Sequence, residues 1–298
     1  MTREEMIQKA AIIRGRDKFG AMTPEEITAL PGTERELAIP ASDGHTIRVF
    51  ELRPDKPLKD RCGMIINFHG GGFIKGRSDR DHRYAAWLAQ ELSCLVWDVD
   101  YCLAPEAPYP AALNEACDVI SYAFANAAEL GMDPARIALA GHSAGGNLVC
   151  SSMLQKEKYG FSPCCLLMEY FPSRQYMDPA EKLTPAMRED AFWSRRAGVE
   201  KEYALYYAEE DQLHDPLCSP YLTPEGSFAQ FPPCLIISAG TDTLRAETES
   251  MASRIASEGV PVTSMRVGEA IHGFTVNRTE GWKKALSLHR FFFKQYLS

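Results

Sequence analysis

The sequence predicts an α/β architecture in which an eight-stranded, mostly parallel sheet is flanked by helices. Three observations predict it. Short apolar runs alternate with longer helical stretches from residue 64 onward, the pattern of strands buried between crossover helices. The chain has 298 residues, 45% of them hydrophobic, so one domain can bury a large core. Two glycine-rich segments, 69–72 and 141–146, directly follow apolar runs where strand-to-helix turns belong.

The elements follow in chain order. Residues 2–19 place Met6, Ala10 and Ile13 at helical spacing among Glu, Lys and Arg, an amphipathic helix. TPEEI at 23–27 starts a second, with Thr23 as N-cap and Pro24 at the first helical position. Runs 34–40 and 45–53, joined by SDG at 42–44, read as a hairpin. Six further strands are expected at 64–68, 94–99, 136–140, 164–169, 234–239 and 262–267. Helices are expected near 80–92, 110–128, 146–157, 245–258 and 281–296. The stretch from 174 to 220 breaks the alternation with helical patterns at 185–197 and 199–208 carrying Phe192, Trp193, Tyr203, Tyr206 and Tyr207. It reads as an insertion that caps the sheet together with the N-terminal helices (1–33), all within a single domain of 1–298.

The formal net charge is −8, and no basic cluster exceeds two residues, so no nucleic acid is expected as a partner. No stretch has the roughly 18 apolar residues of a membrane span, and the first residues lack a secretory apolar core. The nine cysteines are odd in number, irregularly spaced and set in apolar runs such as CLVW and CCLLM. Reduced thiols packed as small apolar residues in a cytoplasmic protein are the expectation, with a disulfide framework or zinc site the alternative.

Gly141-His142-Ser143-Ala144-Gly145-Gly146 stands between a strand and a helix. A serine on such a tight turn points outward from a strained backbone, at a helix start whose free N–H groups favour negative charge. His69-Gly70-Gly71-Gly72-Phe73 follows the first buried strand and can turn backbone N–H groups inward. Gly71, Gly72 and Ala144 are therefore assigned as an oxyanion hole for acyl transfer. A phosphate cradle would want G-K-[ST] or G-x-G-x-x-G, and neither follows. His69 reads as a residue that hydrogen-bonds its loop.

Seven histidines are candidate bases: His45, His69, His82, His142, His214, His272 and His289. His142 adjoins Ser143, but neighbours on such a turn project apart. His272 lies a few residues beyond the last strand, and Asp242 just past the strand before it. Ser143, Asp242 and His272 thus all fall at the carboxyl edge of the sheet, where sites form in open α/β folds, in the chain order of α/β-hydrolases.

The chain resembles the hormone-sensitive-lipase family of esterases, the family IV lipolytic enzymes, from about residue 64 to 290. The resemblance rests on HGGGF at 69–73, YCLAPE at 101–106, GHSAGG at 141–146, DPLCSPYLTP at 215–224, Asp242-x-Leu244 and HGF at 272–274. It implies the α/β-hydrolase fold, Ser143, Asp242 and His272 as the triad, the same oxyanion hole, a cap, and short acyl chains. Two positions depart: His142 stands where the family usually has Asp or Glu, and Cys102 where it has Arg. The expected activity is hydrolysis of small-molecule esters without cofactor or metal. Amidase or formamidase chemistry on the same residues, or a catalytically silent receptor, are the rival readings. The final strand could also pair two copies as a homodimer.

Overall fold

The computed structural model describes residues 1–16, 20–58 and 61–297. Its single sheet has eight strands: β1 (Thr33–Pro40), β2 (Thr46–Arg53), β3 (Cys62–Phe68), β4 (Leu95–Asp100), β5 (Met132–His142), β6 (Leu166–Glu169), β7 (Cys234–Thr241) and β8 (Val262–Ile271). Their spatial order is β1-β2-β4-β3-β5-β6-β7-β8. β2 runs antiparallel to both β1 and β4, and every pair from β4 to β8 is parallel. This is the expected α/β-hydrolase sheet.

Eleven helices occur among the described residues: α1 (Arg3–Arg16), α2 (Pro24–Thr28), α3 (Asp79–Leu92), α4 (Ala111–Ala125), α5 (Ala144–Met153), α6 (Lys156–Tyr159), α7 (Pro185–Arg188), α8 (Ala191–Tyr207), α9 (Arg245–Ser257), α10 (Phe274–Asn277) and α11 (Trp282–Leu297). The expected first helix reached residue 19, and its last three positions lie outside the described residues. α2 carries the expected Thr23 cap, completed by Glu26 as a capping box.

The central strands alternate between two cores. Met64, Ile66, Phe68, Leu95, Trp97, Val99, Ile137 and Leu139 belong to one. Their neighbours Ile65, Val96, Ala138 and Ala140 face the other. A two-residue side-chain period places both faces out of water, which is why β3 is buried at every position. α4, α5 and α9 supply Ala116, Leu148 and Met251 to the first core. α3 and α11 supply Tyr84, Leu88, Phe292 and Phe293 to the second.

Near the antiparallel edge, Asp98 is buried and accepts from Asn67 Nδ2 at 2.8 Å and Arg77 Nε at 2.5 Å. The Arg77 guanidinium also lies 3.9 Å from the Phe50 ring centroid. A buried carboxylate needs such partners, since an unpaired one would cost several kcal/mol.

All nine cysteines are free thiols, seven of them buried, consistent with their apolar surroundings in the sequence. No described helix is long and apolar enough to cross a membrane.

The segment between β6 and β7 differs in detail from its expected form. Two helices were expected, divided at Gly198; instead α8 runs unbroken from Ala191 to Tyr207 through it, preceded by the single turn α7. Local propensity gives way because Tyr206 and Tyr207 are buried at one end of α8 and Ala197 near its middle. Of the five aromatics, Tyr206 and Tyr207 are core, Tyr203 is partly buried against the same core, Trp193 packs on Leu183, Met187 and Ala197, and Phe192 is exposed. A β-carbon on Gly198 would meet nothing within 4 Å. Gly198→Ala should therefore stabilise the protein by about 0.5–1 kcal/mol, read as a raised midpoint in thermal or denaturant unfolding.

Candidate active site

Strand β5 delivers the nucleophile candidate. Ser143 has φ 54° and ψ −123°, a conformation that L-residues avoid and that surrounding structure must enforce. Its N–H donates to Glu169 O on β6 at 2.9 Å. The glycines around it are dictated by close approach. A β-carbon on Gly145 would sit 1.9 Å from Phe68 O, and one on Gly141 2.3 Å from Gly145 O. β3, the turn and α5 thus touch backbone to backbone.

The three residues expected at one rim are brought together. Ser143 Oγ lies 2.9 Å from His272 Nε2, and His272 Nδ1 lies 2.8 Å from Asp242 Oδ2. Asp242 is buried, and its second oxygen accepts from Leu244 N–H at 3.2 Å. Burial pushes its carboxyl pKa up, but the charge and hydrogen bond of His272 outweigh this and hold it below the ordinary range. A depressed carboxyl contributes stability above its unfolded pKa and loses it as pH falls through the folded value.

Gly71, Gly72 and Ala144 line the same cavity as Ser143 and His272. Ala144 N–H opens α5, where the first N–H groups lack an intrahelical partner. Gly71 and Gly72 have φ of +132° and +62°, and a β-carbon on Gly72 would lie 2.5 Å from Tyr203 Cδ2 of α8. The cavity encloses about 290 Å³. Its wall is mixed, with Phe73, Met177 and Val276 beside Gln175, Glu200 and Asn277.

The segment over the cavity is pinned at several points. Glu247 of α9 accepts from Ser173 N–H, Arg174 N–H and Lys182 Nζ at 2.6–2.8 Å. Tyr207 stacks on Phe73 with ring centroids 3.6 Å apart, and its carbonyl accepts from Tyr109 N–H at 2.7 Å. Glu200 Oε1 accepts from Arg196 Nε and from Thr243 Oγ1, the residue after Asp242. α1 does not line the cavity; its Arg14 reaches the Ile74 and Ala104 carbonyls and the Glu106 carboxylate.

His142 turns away from Ser143, as expected, and its Nε2 lies 3.1 Å from Asp81 Oδ1, both side chains buried. Burial opposes ionisation of Asp81, yet the His142 contact holds its carboxyl well below the usual range. Ser78 N–H and Oγ–H both donate to the other oxygen. His69 Nδ1 lies 2.7 Å from Gly70 O and its ring stacks on Tyr101, the loop-holding role expected of it. Asp81, Glu169, Tyr170, Arg196 and Glu200 escaped the sequence reading. Ser78-x-x-Asp81 carries a helix-start signal, but nothing local links any of the five to the site.

Comparisons with known proteins bear on the family and the fold. Residues 65–276 match a protein-family model described as alpha/beta hydrolase fold. The chain is 31% identical over 247 residues to an arylesterase of Saccharolobus solfataricus, covering 82% of this chain and 77% of that protein. It is 38% identical over 134 residues to the hormone-sensitive lipase of Ictidomys tridecemlineatus, covering 45% of this chain and 18% of the lipase. Among solved structures, the hyperthermophilic esterase of Pyrobaculum calidifontis superposes with a TM-score of 0.80 at 26% identity, covering 98% and 92% of the two chains.

Gly145→Ala should abolish the folded protein or its ability to react at Ser143, because its β-carbon would overlap rigid β3 backbone. Soluble yield, circular dichroism and reaction with a fluorophosphonate check it. Soluble, reactive Gly145→Ala protein would contradict the packing described.

Proposed function

This chain belongs to the alpha/beta hydrolase superfamily and, within it, to the hormone-sensitive-lipase family, and from that premise we propose that it is a serine carboxylesterase acting on small esters. The observation that carries the reading is the unbroken pair of contacts Ser143–His272–Asp242, at 2.9 and 2.8 Å, beside a cavity that Gly71, Gly72 and Ala144 line.

Each group has a role. Ser143 Oγ attacks the ester carbonyl while its proton passes to His272 Nε2. Asp242 holds the imidazole by its Nδ1–H and offsets the positive charge that it acquires. The carbonyl oxygen becomes an anion facing the N–H groups of Gly71, Gly72 and Ala144, donors already fixed before reaction. His272 then protonates the departing alcohol, leaving an acyl group on Ser143. Water, deprotonated by His272, attacks that acyl group, releases the acid and restores the serine. Every proton in the cycle is carried by His272.

A cavity of about 290 Å³ sits at the lower end of ordinary ligand pockets, which supports short acyl chains. The arylesterase and esterase names of the similar proteins support ester rather than amide substrates.

Ser143→Ala should lower kcat/KM for p-nitrophenyl acetate or butyrate by on the order of 10⁴-fold or more, and it should abolish fluorophosphonate labelling. Undiminished turnover in this variant would overturn the mechanism. Across p-nitrophenyl esters from acetate to decanoate, kcat/KM should peak at short chains and fall steeply toward decanoate. A maximum at decanoate would refute the size assignment.

A further inference from the structure

Beneath the proposed triad lies a second set of polar side chains that the mechanism does not use. Glu169, at the end of β6, is 1% exposed; His289 of α11 is 0%, Thr275 of α10 is 1% and Tyr170 is 0%. Burying this much polarity in an apolar layer is costly unless every hydrogen-bonding site is matched.

Here the matching is complete in one direction. Glu169 Oε1 lies 3.1 Å from His289 Nε2, and Oε2 accepts from Thr275 Oγ1 at 3.2 Å. Thr275 donates its only hydroxyl proton to Glu169. The single Thr275 proton being used, its oxygen accepts the Tyr170 O–H at 2.5 Å. His289 Nδ1 meets Tyr84 Oη at 3.2 Å. Burial pushes the Tyr170 and Tyr84 phenols well above their ordinary pKa, so both remain protonated hydroxyls.

The chain meets the His272 ring and the backbone of Ser143. Thr275 is three residues after His272, on the turn that carries it. The Tyr170 ring meets the His272 imidazole edge to face, with centroids 5.2 Å apart, from a backbone with φ +33°. The carbonyl of Glu169 is the acceptor that holds Ser143 N–H. Glu169 thus holds Ser143 through its backbone carbonyl and, through its side chain, Thr275 on the turn that follows His272.

We infer that the buried chain Tyr170–Thr275–Glu169–His289 is a positioning device, with Thr275 and Glu169 setting the orientation of His272 relative to Ser143. This rests on the proposed esterase mechanism. Misplacing a reacting group by about 1 Å can cost on the order of 100-fold in rate, so partial loosening should cost less. Thr275→Val removes the hydroxyl at constant shape and should lower kcat on p-nitrophenyl butyrate about ten-fold, with KM within about two-fold of the native value. Thr275→Ser restores the hydroxyl and should restore kcat. Glu169→Gln should act in the same way, and the double variant Glu169→Gln/Thr275→Val should lose no more than either single change, because both break one chain.

Circular dichroism and melting temperature accompany each variant. If either substitution prevents folding, Tyr170→Phe, which deletes only the end hydroxyl, is read in the same assay and should lower kcat several-fold. Folded Thr275→Val and Glu169→Gln proteins with native kcat would overturn the inference while the esterase reading stands. A wild-type protein inert toward esters and fluorophosphonate would instead overturn that reading, and this inference with it. Additive losses in the double variant, or a KM effect alone, would also reject a shared positioning role.

Discussion

The hydrogen bond from Ser143 N–H to the Glu169 carbonyl, made across neighbouring parallel strands, is the constraint on which the site depends. It holds a serine in a backbone conformation disfavoured for L-residues, and it can do so only because Gly141 and Gly145 let β3, the turn and α5 close to backbone contact. Given that contact, the hydroxyl projects past the sheet edge and α5 begins at Ala144. The loops after β7 and β8 then have only to extend one residue beyond their strands to place Asp242 and His272 beside it. The geometry of the whole rim follows from strand register and one strained residue.

How much of this was legible in the residues depended on how local the cause was. All eight strands were: the central ones because burial on both faces makes their runs mostly apolar, the outer ones from their short extended runs beside turns and helices. The turn at 141–146 and the order of Ser143, Asp242 and His272 were legible too, since each sits immediately after such a run. The continuity of α8 through Gly198 was not, because tertiary burial of Tyr206 and Tyr207 overrides a weak local preference. Glu169 and His289 were equally silent. They stand 120 positions apart, and neither has a neighbour in sequence that marks it as polar and buried.

His142 shows how a departure from a family pattern can be absorbed. An imidazole stands where an acid is usual, and the acid in contact with it comes instead from α3, as Asp81, itself capped by Ser78. Cys102 is a simpler case: its backbone N–H is held by the Glu115 carboxylate at 2.7 Å, so the loop keeps an anchor independent of that side chain.

Glu200 belongs to the helix roofing the cavity, yet it grips Thr243, next door to Asp242. Roof and proposed proton-handling residues are consequently one mechanical assembly. A substitution that widened the entrance by tilting α8 would drag on the loop presenting the carboxylate, so substrate range and turnover are expected to drift together rather than evolve as separate traits.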